Sequence, residues 1–359
     1  MRTGVPDRPA AGWPDEADQH AADIPRRSDG RADGLARRLE SLPDGHPSSP
    51  YDTDGTRREP PTRLRDLDTE PDLDDHTQPN EPRRPYTDTE WADHRAEVPP
   101  LIADAQDRGL ATERQFTVDP DQTRWNRERR QLHNEIVETF LSDASHVAND
   151  HKAIIAGGLA GAGKTTVLAN HAGIDRSQYL TINPDAIKEE MARRGMIPLV
   201  DGLSPMEASD LVHPESSHIA KQLAARATAE GKNLIWDITM SSRDSVDGRL
   251  NQLQDSGYTS IRGVFVDIPI DVSLARADAR HREGEDDYRA GKGMGGRFVP
   301  PELITSRIDD QRGSQNRQIF EELKPRFSRW TLFDNGVDGR KPIRVAESLD
   351  NDEAQEAGT

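Results

Sequence analysis

An apolar run, AIIA at 153–156, passes directly into GGLAGAGKTT, so that Gly158, Gly163, Lys164 and Thr165 stand in the spacing G-x-x-x-x-G-K-T. The residues before it suit a strand, and VLANHA after it suits a helix. Glycines in this spacing let backbone N–H groups turn inward around phosphate oxygens, and the following helix adds its positive N-terminal end. Gly158, Leu159, Ala160, Gly161, Ala162, Gly163, Lys164, Thr165 and Thr166 are therefore the expected cradle of a nucleoside triphosphate. Lys164 is expected to reach the outer phosphates and Thr165 to ligate Mg²⁺. ATP is expected ahead of GTP. The bland alternative is a glycine-rich turn that binds nothing.

A phosphate loop of this kind sits in an open sheet, and the rest of the chain agrees. Short apolar runs recur at 179–182 (YLTI), 233–238 (NLIWDI), 263–268 (GVFVDI) and 330–333 (WTLF), with helical stretches between them such as 220–229 and 246–254. Alternation of strands and helices predicts an α/β fold, a mostly parallel sheet between helical layers of the P-loop NTPase, kinase-like kind. Ahead of it, residues 122–144 place Trp125, Leu132, Ile136, Val137 and Phe140 largely on one face of a long helix.

Composition divides the chain. The first 100 residues hold 15 of the 25 prolines and 14 basic against 23 acidic side chains, a net of −9 that is half of the chain's −18. Such a segment buries too little apolar surface to offset its ordering entropy. We therefore expect a disordered region at 1–100 with at most a short helix at 35–42, a helical lead-in at 101–150, the kinase-like domain at 151–346, and a disordered tail at 347–359. Net acidity argues against stable nucleic-acid binding and against an anionic membrane surface. No apolar run is long enough to span a bilayer and the N-terminus lacks a signal-peptide core, so the cytoplasm is the expected location. The absence of cysteine excludes disulfides, thiolate catalysis and cysteine-bound zinc.

Other candidates follow from position. Asp237 ends the NLIWD run, where a carboxylate meets Mg²⁺ or its water shell in P-loop enzymes, and Thr239 sits on the same rim. Asp185, at the start of a helix after YLTINP, is either a helix cap or a general base at the sheet edge. Between 276 and 297 six cations, Arg276, Arg280, Arg282, Arg289, Lys292 and Arg297, flank a glycine-rich GKGMGG, as a mobile basic lid over phosphates would. A solvated helix face is the competing reading. Glu215 follows Pro214 in the first turn of a helix, where the dipole favours an acid.

Taken in order, AGGLAGAGKTT, LTINPDAIK, HPESSHIA, GKNLIWDITMSS and GGRFVPPE resemble the zeta toxin family of bacterial kinases over about 152–345. The resemblance implies an ATP-dependent enzyme that phosphorylates a sugar hydroxyl of UDP-N-acetylglucosamine, and a toxin held by an antitoxin. It implies that Asp185 takes the substrate hydroxyl proton, that Glu215, Asp237 and Thr239 line the metal and substrate rim, and that Arg297 and Arg280 contact the phosphates. Arg276 and Arg282 are the alternatives to Arg280. Asp237 stands where better-known toxins carry Glu, and the interval between the candidate arginines is longer here. Two other functions stay open: a kinase for another hydroxyl (an antibiotic, a nucleoside or a polynucleotide end), and a non-catalytic ATP-binding interaction protein.

Overall fold

The computed structural model describes residues 83–119, 121–306, 308–309 and 313–348. Six strands form one sheet: β1 (Lys152–Gly157), β2 (Leu180–Ile182), β3 (Leu234–Asp237), β4 (Ser260–Asp267), β7 (Arg329–Asp334) and β8 (Ile343–Glu347), in the order β2-β3-β1-β4-β7-β8. A separate short pair, β5 (Ile308–Asp309) and β6 (Gly313–Ser314), is antiparallel. All neighbours in the main sheet run parallel except β8, which returns antiparallel along β7. The α/β expectation, with a mostly parallel sheet, is met. β8 was not expected, since its exposed Ile343, Arg344 and Val345 show no buried face.

The strands alternate as buried parallel strands do. On β1, Ala153 and Ile155 face one core with Leu234, Trp236, Ile261 and Phe265. Ile154 and Ala156 face the other with Ile235, Val264 and Val266. Helices α3 (Arg127–Asp143), α5 (Pro184–Arg193), α6 (His213–Ala229) and α7 (Arg243–Asp255) cover the first face through Ile136, Ile187, Leu223 and Leu250. The second face is covered by α4 (Lys164–Asn170) through Val167 and Leu168. Parallel strands put every strand-to-helix turn at one edge, and β1 lies where the order reverses, between β3 and β4. A crevice opens at such a point.

One expectation needs correction. Residues up to 100 were read as disordered, yet Asp88–Asp107 forms α1, and α2 (Thr112–Phe116) follows. The expected tail through residue 82, the short helix at 35–42 and the tail beyond residue 348 lie outside the described residues. Thr87 and Glu90 close a capping box, with the Thr87 N–H donating to Glu90 Oε2 at 2.9 Å. Trp91, Val98, Ile102 and Ala105 then bury one face, although Pro99 and Pro100 lie inside the helix. Packing overrides the proline signal that made this stretch read as a tail. No helix among the described residues is long and apolar enough to cross a membrane.

Candidate functional site

The loop between β1 and α4 needs glycine for stated reasons. Gly158 has φ 146° and Gly163 has φ 77°, conformations that L side chains avoid. A Cβ on Gly158 would press on the Val266 carbonyl, and one on Gly163 would come within 2.7 Å of Asn335 Nδ2. The outer wall of the loop is fixed from two other elements. Ser273 Oγ, on α8 (Ile270–Arg289), donates to the Ala160 carbonyl at 2.7 Å, and Asn335 Nδ2, after β7, donates to the Ala162 carbonyl at 2.9 Å. The cradle is thus braced from its outer side by two side chains.

Lys164 curls back into this cradle. Its Nζ donates to the Gly158 carbonyl at 3.1 Å and lies 3.6 Å from Asp237 Oδ1 at the end of β3. Burial pulls the ammonium below the usual lysine range; Asp237 opposes this, while Arg280 and Arg297 reinforce it. A cation so crowded by cations gains by meeting phosphate. Thr165 is exposed and its hydroxyl bonds to none of the described residues. With the Asp237 carboxylate it offers an all-oxygen donor set suited to a hard divalent cation, so the residues present fit Mg²⁺.

Asp185 sits in the first turn of α5, after β2, and its carboxylate pairs with the Arg297 guanidinium. The helix cap is Asn183, whose Oδ1 accepts the Asp185 N–H at 2.8 Å. This removes the capping alternative for Asp185, because its own side chain caps nothing. Arg297 is mostly buried, and burial lowers its proton affinity. Thr239 is exposed, and its hydroxyl donates to Ser241 Oγ at 3.2 Å. The next residue, Met240, is buried at φ 59° with its side chain against Gly157, which turns the chain sharply beneath the loop. Such a conformation costs about 1–3 kcal/mol and persists where the surroundings enforce it.

The zeta toxin family model matches residues 138–334, more than half of the chain. The chain belongs to the zeta toxin family. This is a P-loop, kinase-like family. Among solved structures, AvrRxo1-ORF1:AvrRxo1-ORF2 with sulphate ions and the same pair with ATP each show 20% identity, with 67% of this chain and 77% of theirs covered and a TM-score of 0.50. The PezAT chromosomal toxin-antitoxin system of Streptococcus pneumoniae shows 16% identity over 65% of this chain and 87% of that one, with a TM-score of 0.45. At 20% identity the likeness to the AvrRxo1 structures is one of fold. No curated protein matches.

Within the zeta toxin frame, the three candidate lid arginines on α8 separate. Arg282 is held by Asp88 Oδ1 and the Tyr86 carbonyl, both at 2.8 Å, and Arg276 by Asp338 and the Gly161 carbonyl. Arg280 is exposed, pairs with none of the described residues, and bears on Lys164 electrostatically. Glu215 requires a correction. It is fully buried, accepting from Arg129 Nε at 2.8 Å and bonding His133 Nε2 at 2.6 Å, with α3 closed over it. The carboxylate has no exposed face, so here it is a packing ion and not a substrate contact. Ser273 and Asn335 were missed, because each reads in sequence as an ordinary residue near a helix start or turn.

Proposed function

We propose that this zeta toxin family member transfers the γ-phosphoryl group of Mg²⁺-bound ATP to a sugar hydroxyl of UDP-N-acetylglucosamine. One observation carries this reading: Lys164, Asp185, Asp237 and Arg297, from four different segments, converge at the sheet edge beside an empty-handed Arg280 and Thr165. Their pairing suggests the order of events. Arg297 would exchange the Asp185 carboxylate for a phosphoryl oxygen, which frees Asp185 to accept the hydroxyl proton. The hydroxyl oxygen then bonds the γ-phosphorus as the bond to the ADP oxygen breaks, with Lys164, Arg280 and Arg297 holding charge on the transferring group. Thr165 and Asp237 would hold the cation, which would supply positive charge against the phosphates, with Thr239 beside the acceptor.

Incubation of purified protein with ATP, Mg²⁺ and the sugar nucleotide, followed by mass spectrometry, tests the acceptor. A phosphorylated sugar nucleotide supports it; transfer only to other hydroxyls in a panel of nucleosides and antibiotics moves the reading to another acceptor. An antitoxin partner belongs to the same proposal. Relief of growth arrest on co-expression with a candidate antitoxin is its test.

A further inference from the structure

The loop that delivers Arg297 has its own support, remote from phosphate. Gly296, the preceding residue, donates its N–H to Glu285 Oε1 at 2.7 Å, and Met294 accepts from the Met206 N–H at 3.0 Å. The loop lies backbone-to-helix on α8: a Cβ on Gly296 would run into the His281 carbonyl, one on Gly295 into Ser204, and one on Gly284 to 2.5 Å from the Gly296 Cα. Glu285 is itself buried and also accepts from Ser204 Oγ. Ser204 in turn donates its N–H to Glu207 Oε2 at 3.0 Å, and Glu207 Oε1 meets His281 Nε2 at 2.7 Å and His94 Nε2 at 2.8 Å. Donor atoms of His94, Glu207 and Glu285 lie within 4.8 Å of one another, but both imidazole Nε2 atoms are spent on Glu207. The group is a closed hydrogen-bond cluster, not an open set of metal ligands.

We infer that Glu285 is a positioning residue for Arg297: by holding Gly296 N–H it fixes the glycine loop at the depth that lets the guanidinium reach Asp185 and the transferring phosphoryl group. The inference rests on the kinase reading for its kinetic consequence and on geometry alone for its structural one. A buried carboxylate is otherwise a costly group to keep in an exposed-loop contact, and here each of its named bonds serves the loop or its floor. A misplacement of about 1 Å at a reacting centre costs up to about a hundredfold in rate.

The test is a double-mutant cycle on the full chain. Glu285→Ala is expected to lower kcat about tenfold or more with the ATP KM within about twofold, and Glu285→Gln, whose amide oxygen can still accept from Gly296, to restore most of it. In the Arg297→Ala background Glu285→Ala should cost little more. Amide exchange over 291–298 should quicken in Glu285→Ala and not in Glu285→Gln. Additive losses, or unchanged exchange in a folded Ala variant, overturn the inference. If Glu285→Ala does not fold, Ser204→Ala, which removes one bond to the same carboxylate, carries the test with the same signs. If the wild type transfers phosphate to no acceptor, the kinase reading fails, while the exchange arm still decides the contact.

Discussion

The molecule contains two kinds of acid–base assembly, and they differ in closure. At the sheet edge, Lys164, Asp237, Asp185 and Arg297 are only partly covered, and the Lys164–Asp237 pair is long at 3.6 Å. Beneath α1 and α3, by contrast, Glu207 and Glu215 are buried, and each carboxylate meets two basic groups at 2.6–2.8 Å. A buried charge tolerates no missing partner, so both carboxylates are paired twice over and hold helices together. An assembly left open to solvent, with cations crowding one another, has room for an anionic ligand.

That contrast is broken most forcefully at Lys164. Lys164→Ala is expected to leave the melting temperature nearly unchanged and to cut phosphoryl transfer by at least about a thousandfold. Near-normal single-turnover rates would remove the edge assembly from the chemistry. Glu215→Ala should do the reverse: leaving Arg129 and His133 without their acid should cost about 3–5 kcal/mol of stability by denaturant titration, with kcat of the folded fraction preserved. A stable variant with lost activity would return Glu215 to the substrate. Asp185→Asn sharpens the comparison within the edge itself. Since Asn183 supplies the cap, the variant should fold and bind ATP as before, and lose about a hundredfold in turnover, about 2.7 kcal/mol. Turnover within a few fold of wild type would send the search for the base to Asp237.

The smallest effect is one of pH. Burial and the neighbouring Glu207 push Glu285 up to about 7 from 4.5. The folded chain therefore binds more protons than the unfolded one between those values, and stability falls as pH rises through that window. His94, raised by its bond to Glu207, acts in the same direction: its contribution is full below 6.5 and is lost as pH rises through its higher folded value. The titratable groups that bear on Glu285 are Glu207, His94 and Tyr86, with His281 joined to Glu207 from the helix that carries Glu285. Below 6.5 the half-buried His218, held down to about 4 chiefly by desolvation, works the other way, so calorimetry should show the melting temperature declining from pH 6.5 to pH 8, with a shallower decline in Glu285→Gln. Parallel slopes would mean that Glu285 titrates normally.

Much of this was legible in the sequence because the phosphate loop and the strands are local patterns. Residues 153–156 became β1 within one residue at each end, and Asp237 was placed at a strand end by its apolar run alone. What stayed hidden depends on contacts far apart in the chain. Glu215 looked like a first-turn acid until α3 supplied Arg129 and His133. Asp185 read equally as a cap and as a base, and only the bond from its own N–H to Asn183 Oδ1 shows which residue caps the helix. α1 was obscured by Pro99 and Pro100, and only the burial of Trp91, Val98 and Ile102 explains why it forms. Arg276, Arg280 and Arg282 are equivalent in sequence and are told apart only by what Asp338 and Asp88 occupy.

The clasp of α1 on α8 also bears on the order of folding. Arg282 meets Asp88 across 194 residues, and the Tyr86 N–H meets Asp286 across 200. Closing so long a loop is entropically slow to reward, and during synthesis at about 5–20 residues per second the two ends appear roughly 10–40 s apart. The nucleotide loop waits as long for its brace: Ser273 lies on α8, and Asn335, which holds the Ala162 carbonyl, is made after β7. Arg297 comes between the two, with the glycine loop that α8 supports. A nascent chain would thus hold its lid arginine before its phosphate cradle is fully braced, and the two halves of the site would be joined only once β7 has entered the sheet.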